Sequence, residues 1–224
     1  MKNFISPFRL LLLILLIAGL NGCISFRSDI EGAYKASAVK RSDAAPVTVY
    51  FYFSHLVQEK GFDVVPKIVQ PRRGFRDIFG ESMKEISNIQ SFTTFTDNEN
   101  DVDDVPRRRT RDSLKTATDF TIHITFKKEN SFVKHFFADL LSYGTATIFP
   151  VGYSWDYLVS AEVSNSDGKQ LASYSRCASL TTWQNVLFLF VYPFYPSEVK
   201  TEEIYLESLK DIFKQIEVEG VLRK

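Results

Sequence analysis

The stretch YSWDYLVSAEVSNSDGKQLASYSRCASLTT, residues 153–182, decides the fold. Two alternating segments, 153–164 and 170–182, flank Asn165-Ser166-Asp167-Gly168-Lys169. An Asp-Gly pair between β-prone runs is a hairpin signal, because glycine takes the positive φ that tight turns need. In the first segment Trp155, Tyr157, Val159, Ala161 and Val163 recur every second residue and share one face. The second alternates less regularly, which leaves its inward face open. A lone hairpin is marginal in water, so the remaining chain must supply more strands and a cover.

Those strands are legible upstream. Residues 119–127 place Phe120, Ile122, Ile124 and Phe126 on one face and Thr121, His123, Thr125 and Lys127 on the other. Val47, Val49, Phe51 and Phe53 alternate in a β-branched and aromatic run, 91–96 carries Phe92 and Phe95, and 63–69 reads as a short edge strand. Between them Phe75, Ile78, Phe79, Met83, Ile86 and Ile89 recur at three- and four-residue steps, the stripe of a helix over 74–88. A short helix over 107–117 turns Leu114 and Ala117 inward. A last helix is capped by Ser197 or Thr201, has Glu198, Glu202 and Glu203 at its positive end, and buries Ile204 or Tyr205, Leu209, Ile212, Phe213 and Ile216. The expected class is α+β: a single sheet of about five strands with helices packed on one face, in the order β-α-β-(α)-β-insert-β-β-insert-α.

The two inserts are apolar. Residues 132–151 open with an amphipathic helix that puts Phe132, Val133, Phe136, Phe137, Leu140 and Leu141 on one half, and continue through Ile148 and Phe149. Residues 183–196 run from Trp183 through Leu187, Phe188 and Phe190 to Pro193 and Pro196; their uninterrupted apolar core is far too short to cross a bilayer. If 119–127 pairs antiparallel with the first hairpin strand, both inserts leave the same end of the sheet. Phe132, Phe136, Phe137, Leu140, Ile148, Phe149, Trp183, Leu187, Phe188 and Phe190 are then one candidate patch, either extra core or a contact surface for a protein or for lipid.

Near the amino terminus, Lys2 and Arg9 precede an uncharged run from Leu10 to Leu20, which fits an export signal and is short for a membrane span. The residues after it, Leu20-Asn21-Gly22-Cys23, resemble the lipobox of bacterial lipoproteins. The resemblance implies cleavage between Gly22 and Cys23 and acylation of Cys23. An uncleaved anchor or simple secretion are the alternatives. With Ile24 rather than Asp after the cysteine, it also implies the outer membrane, the domain facing the periplasm or the cell surface. On this reading 1–22 is a signal peptide, 23–45 a flexible lipidated tether and 46–224 the α+β domain. Several acyl chains at about 0.8 kcal/mol per buried methylene make such attachment stable.

Little else points to chemistry. Twenty-seven basic residues balance 27 acidic ones, so no net field draws nucleic acid. Only two cysteines occur; with Cys23 acylated, Cys177 has no disulfide partner in the chain and reads as a semi-buried strand residue. The acidic run from Asp97 to Asp104 lacks the Gly and Glu of an EF-hand, Val102 and Arg108 standing there instead, and beside Arg107, Arg108, Arg109 and Arg111 it reads as a solvated loop. No metal site or cofactor is expected. His123 has no ligand-spaced neighbours, and no nucleophile elbow, Walker loop or zinc motif is present.

The order of elements, the "ATDFTIHITF" step and the hairpin "SAEVSNSDGKQLASYS" resemble the amino-terminal domain of TolB and small envelope lipoproteins of that fold. The paired inserts and "TTW" are similar to uncharacterised bacterial lipoproteins. These likenesses imply a non-enzymatic envelope module, expected to act through its inserts on an envelope protein partner. A lipid-binding or lipid-transport accessory module is the alternative, and an enzyme the third class.

Overall fold

Alternation in the sequence becomes one mixed sheet in the computed structural model, which describes residues 22–36, 44–58, 67–68, 75–97, 104–130, 136–138, 140–141, 150–185, 188 and 197–223. Its strands are β1 (Gly22–Arg27), β2 (Val47–Val57), β3 (Lys67–Ile68), β4 (Ile89–Thr96), β5 (Phe120–Asn130), β6 (Val151–Asn165) and β7 (Gln170–Asn185). The spatial order is β1-β7-β6-β5-β2-β3, with β4 also on β2. β5 and β4 run parallel to β2, whereas the β5–β6, β6–β7, β7–β1 and β2–β3 pairs are antiparallel.

The hairpin forms where the Asp-Gly signal puts it. Gly168 has φ of 79°, and the Asn165 carbonyl accepts from the Gly168 amide at 3.0 Å while its side-chain oxygen accepts from the Lys169 amide at 2.8 Å.

The helices are α1 (Phe75–Ser82), continued by a 3₁₀ turn over Met83–Glu85, then α2 (Val105–Thr116) and α3 (Ser197–Glu219). α1 and α3 cover one sheet face, as expected from their stripes. The core between them is aromatic: Phe51 lies 4.9 Å edge-on from Phe79 and 5.9 Å from Phe213, and Phe126 lies 4.7 Å from Tyr205. Val47, Val49, Phe51, Ile122, Ile124, Val159, Ala161, Val163, Leu209 and Phe213 are fully buried, so the faces read from alternation are the ones that pack. α2 begins at the Asp104 cap, whose carboxylate accepts from the Arg107 amide at 3.0 Å. Arg107 covers the Phe95 ring at 4.8 Å and donates to the Thr96 carbonyl, so one arginine of the expected solvated loop is structural.

Two expectations need correction. Among the described residues the sheet has seven strands rather than about five, because β3 forms within the expected 63–69 edge segment and β1 joins the other edge. The start of the supposed tether, 23–45, is therefore part of the fold. Cys23 pairs with Gln184 and Arg27 with Leu180 along β7. The Arg27 guanidinium donates to Glu203 at 3.1 Å and Glu207 at 2.6 Å on α3. Beyond the strand, the amides of Ser28 and Glu31 donate to Ser179 and Cys177, and that of Tyr34 to Asp211. Residues 37–43 of the expected tether lie outside the described residues.

Candidate functional site

Following the strand directions brings four chain ends together. β5 ends at Asn130, β6 begins at Val151, β7 ends at Asn185 and β1 begins at Gly22, and antiparallel pairing puts all four at one end of the sheet. The segment 131–150 leaves and re-enters here, and the segment after Asn185 leaves here. Their attachment points therefore share one end of the sheet, and Cys23 joins them there, which the sequence alone did not reveal.

The candidate patch divides. Phe136, Phe137 and Leu140 are more than half exposed, as is Leu141 beside them. Phe188 is half-buried. Phe132, Ile148, Phe149, Leu187 and Phe190 lie outside the described residues. Trp183 belongs to β7 rather than to an insert, because the alternating strand continues to Asn185. Its ring lies over Gly152, where a Cβ would sit only 3.3 Å from the indole, and it remains 39% exposed. Its strand partner on β1 is Ile24, and the exposed Phe26 lies two residues further along the same face. Tyr153 and Trp155 follow within the first residues of β6, Trp155 under the Lys128 ammonium at 4.1 Å. Both tryptophans of the chain thus lie near this end.

Gly22 opens β1, and Cys23 follows it, half-buried on the face shared with Val151 and Gln184. Burial raises its thiol pKa, opposed by a hydrogen bond with Gln184. Cys177 is exposed rather than semi-buried, and partial desolvation, with the carboxylates of Glu31 and Asp156, raises its pKa. Neither thiol has the cationic neighbourhood of an activated nucleophile.

A second cluster, absent from the sequence reading, lies on the sheet face away from α1 and α3. Tyr52 and Ser54 on β2 both donate to Asp97, at 2.5 and 2.7 Å, and the Ser54 oxygen lies 3.0 Å from His123 Nε2. With its proton committed to Asp97, Ser54 accepts from His123, so Nε2 carries hydrogen. A serine activated for attack needs the opposite arrangement, its proton held by the imidazole. The Tyr52 and His123 rings lie 4.5 Å apart. Burial lowers the His123 pKa, with Glu162 and Asp97 acting against it, and burial and Asp97 push Tyr52 up to about 12. Beside them the Tyr50 hydroxyl is buried with no hydrogen-bond partner among the described residues. The partners converge only once β2 and β5 pair in register, Tyr52 opposite His123, which no local spacing encodes.

Among the described residues there is no group of three or more His, Cys, Asp or Glu arranged to hold a metal, and no helix long and apolar enough to cross a membrane. Residues 98–103 of the acidic run lie outside the described residues.

No family model and no curated protein matches the chain. Among solved structures it is similar to a DUF4136 family protein from Bacteroides thetaiotaomicron VPI-5482, 11% identical, covering 90% of this chain and 98% of that one with a TM-score of 0.30. A likeness at that level says nothing about function.

Proposed function

We propose that the chain is a lipid-anchored, non-enzymatic lipoprotein of the cell envelope that works as an interaction or assembly module, with the insert end of its sheet as the contact surface. The convergence of Cys23 with the attachment points of both apolar segments carries this reading: the cysteine of the lipobox-like stretch starts the strand at the end of the sheet from which the segments bearing exposed large apolar side chains leave. The likeness of Leu20-Asn21-Gly22-Cys23 to a lipobox supports the anchor, and the TolB-like order of elements supports an envelope module that is not an enzyme. Acylation of Cys23 and attachment to the outer membrane belong to the same proposal.

The test is fractionation and co-purification from native membranes, comparing intact protein with Cys23→Ser. Intact protein in the membrane fraction, bringing an envelope protein that the released Cys23→Ser form does not capture, is the expected result. Equal membrane association of both forms would refute the anchor. Turnover by either form, abolished by a single His or Asp substitution, would refute the non-enzymatic reading.

A further inference from the structure

We infer that the insert end of the sheet rests directly on the lipid bilayer, so that the domain stands end-on, with Trp183, Phe136 and Phe137 seated in the headgroup region. The inference rests on the proposed acylation of Cys23 and names the occupant of that same surface. Three observations carry it.

The first is the missing slack. A flexible tether would let the domain turn freely, but Cys23 is already paired with Gln184, and Arg27 of the same strand meets Glu203 and Glu207. Acyl chains on Cys23 therefore leave from the border of the sheet itself. The second is level. Trp183 is adjacent in sequence to the pairing partner of Cys23, and a strand rises about 3.4 Å per residue, so its backbone lies within a few ångströms of the anchor along the strand direction. Interfacial segments sink about 5–10 Å into the headgroup boundary, which takes in that level.

The third is the contrast between the two ends of the sheet. Phe136, Phe137, Leu140 and Leu141, 52–63% exposed, belong to the chain segment that joins two strand ends at the Cys23 border. The opposite end turns through Asn165-Ser166-Asp167-Gly168-Lys169, polar apart from the glycine and largely exposed, and its exposed large apolar side chains, Leu171 and Phe92, stand singly on different strands. Tryptophan and tyrosine favour the membrane interface, where an apolar ring meets water, and Trp183, Trp155 and Tyr153 all occur within the first few residues of this border.

The full acylated protein is reconstituted in vesicles of phosphatidylethanolamine and phosphatidylglycerol, with part of the lipid brominated on its acyl chains. Trp155→Phe leaves Trp183 as the single tryptophan; the converse variant Trp183→Phe gives the Trp183 signal by difference if the first folds poorly. Loss of most Trp183 emission in brominated vesicles is expected. A tryptophan placed at the far end, Leu171→Trp in a Trp155→Phe/Trp183→Phe background, should keep its emission. Unquenched Trp183 in protein that floats with the vesicles and carries acylated Cys23 would overturn the inference while leaving the anchor intact, as would equal quenching at both ends. An unmodified Cys23, read by mass, would overturn the anchor and the inference together.

Discussion

His123 shows how a single side chain couples the fold to pH. Its imidazole is held neutral by burial, and its Nε2 hydrogen is committed to Ser54. The folded chain takes up this proton only below the ordinary value of 6.5, so in acid the unfolded chain binds more protons and stability falls as pH falls. Denaturation midpoints should therefore drop progressively below about pH 6.5. His123→Gln, which keeps an amide donor for Ser54, should flatten that part of the profile; an unchanged slope would remove His123 as its source. Phe51 is the complementary case. It is fully buried against Phe79 and Phe213, and Phe51→Ala should destabilise by about 3–5 kcal/mol in chemical denaturation. A loss below about 1 kcal/mol would mean that the ring is not packed as described. The burial of Phe51 was legible from its place in an alternating run. The partners of His123 were not, because Ser54 and Asp97 reach it only through strand pairing.

At the level of elements, legibility followed the strength of the local signal. The 153–182 hairpin announces itself through Asp-Gly and strict alternation along β6, and α3 through a continuous apolar stripe. β1 does not. Over Gly22–Arg27, Cys23, Ser25 and Arg27 alternate with Ile24 and Phe26, too short and polar a pattern to separate from a linker. Its stability comes from the long free edge of β7 and from α3: the Ser25 and Thr182 hydroxyls lie 2.9 Å apart, and Arg27 meets two carboxylates. Half-exposed pairs of this kind contribute little singly, about 0–1 kcal/mol, so Arg27→Met should leave overall stability nearly unchanged. Its effect should be local. Hydrogen exchange of the 22–27 amides should speed up relative to the rest of the sheet, whereas amides already exchanging as fast as unstructured chain in the native protein would show that β1 is not part of the fold. Gly152 offers a second test at this scale. Gly152→Val places a side chain where the Trp183 indole lies, so it should shift the Trp183 emission to the red with little change in far-ultraviolet dichroism. An unchanged spectrum would mean that the indole does not cover this position.

For the molecule as a whole, the decisive feature is polarity along the strands. Charge balance, the lack of a motif and isolated histidines say little about function, and the sequence read the lipobox and the inserts as separate features. Joining β1 to β7 brings Cys23 to the border where both inserts attach and makes the start of the expected free tether a strand of the sheet. That the inserts attach at the same end was predictable from hairpin geometry, but the relation of that end to Cys23 depended on a strand without a strong local signature. On this account the mature protein begins at the first residue after Gly22 and is held at that border by its own acyl groups. Intact-mass analysis of the amino-terminal peptide from membrane-extracted protein tests this most directly. The account predicts a peptide that starts at Cys23 and carries the mass of a diacylglyceryl thioether with an amide-linked acyl chain; a peptide that retains residues before Cys23, or an unmodified Cys23 in membrane-associated protein, would contradict it.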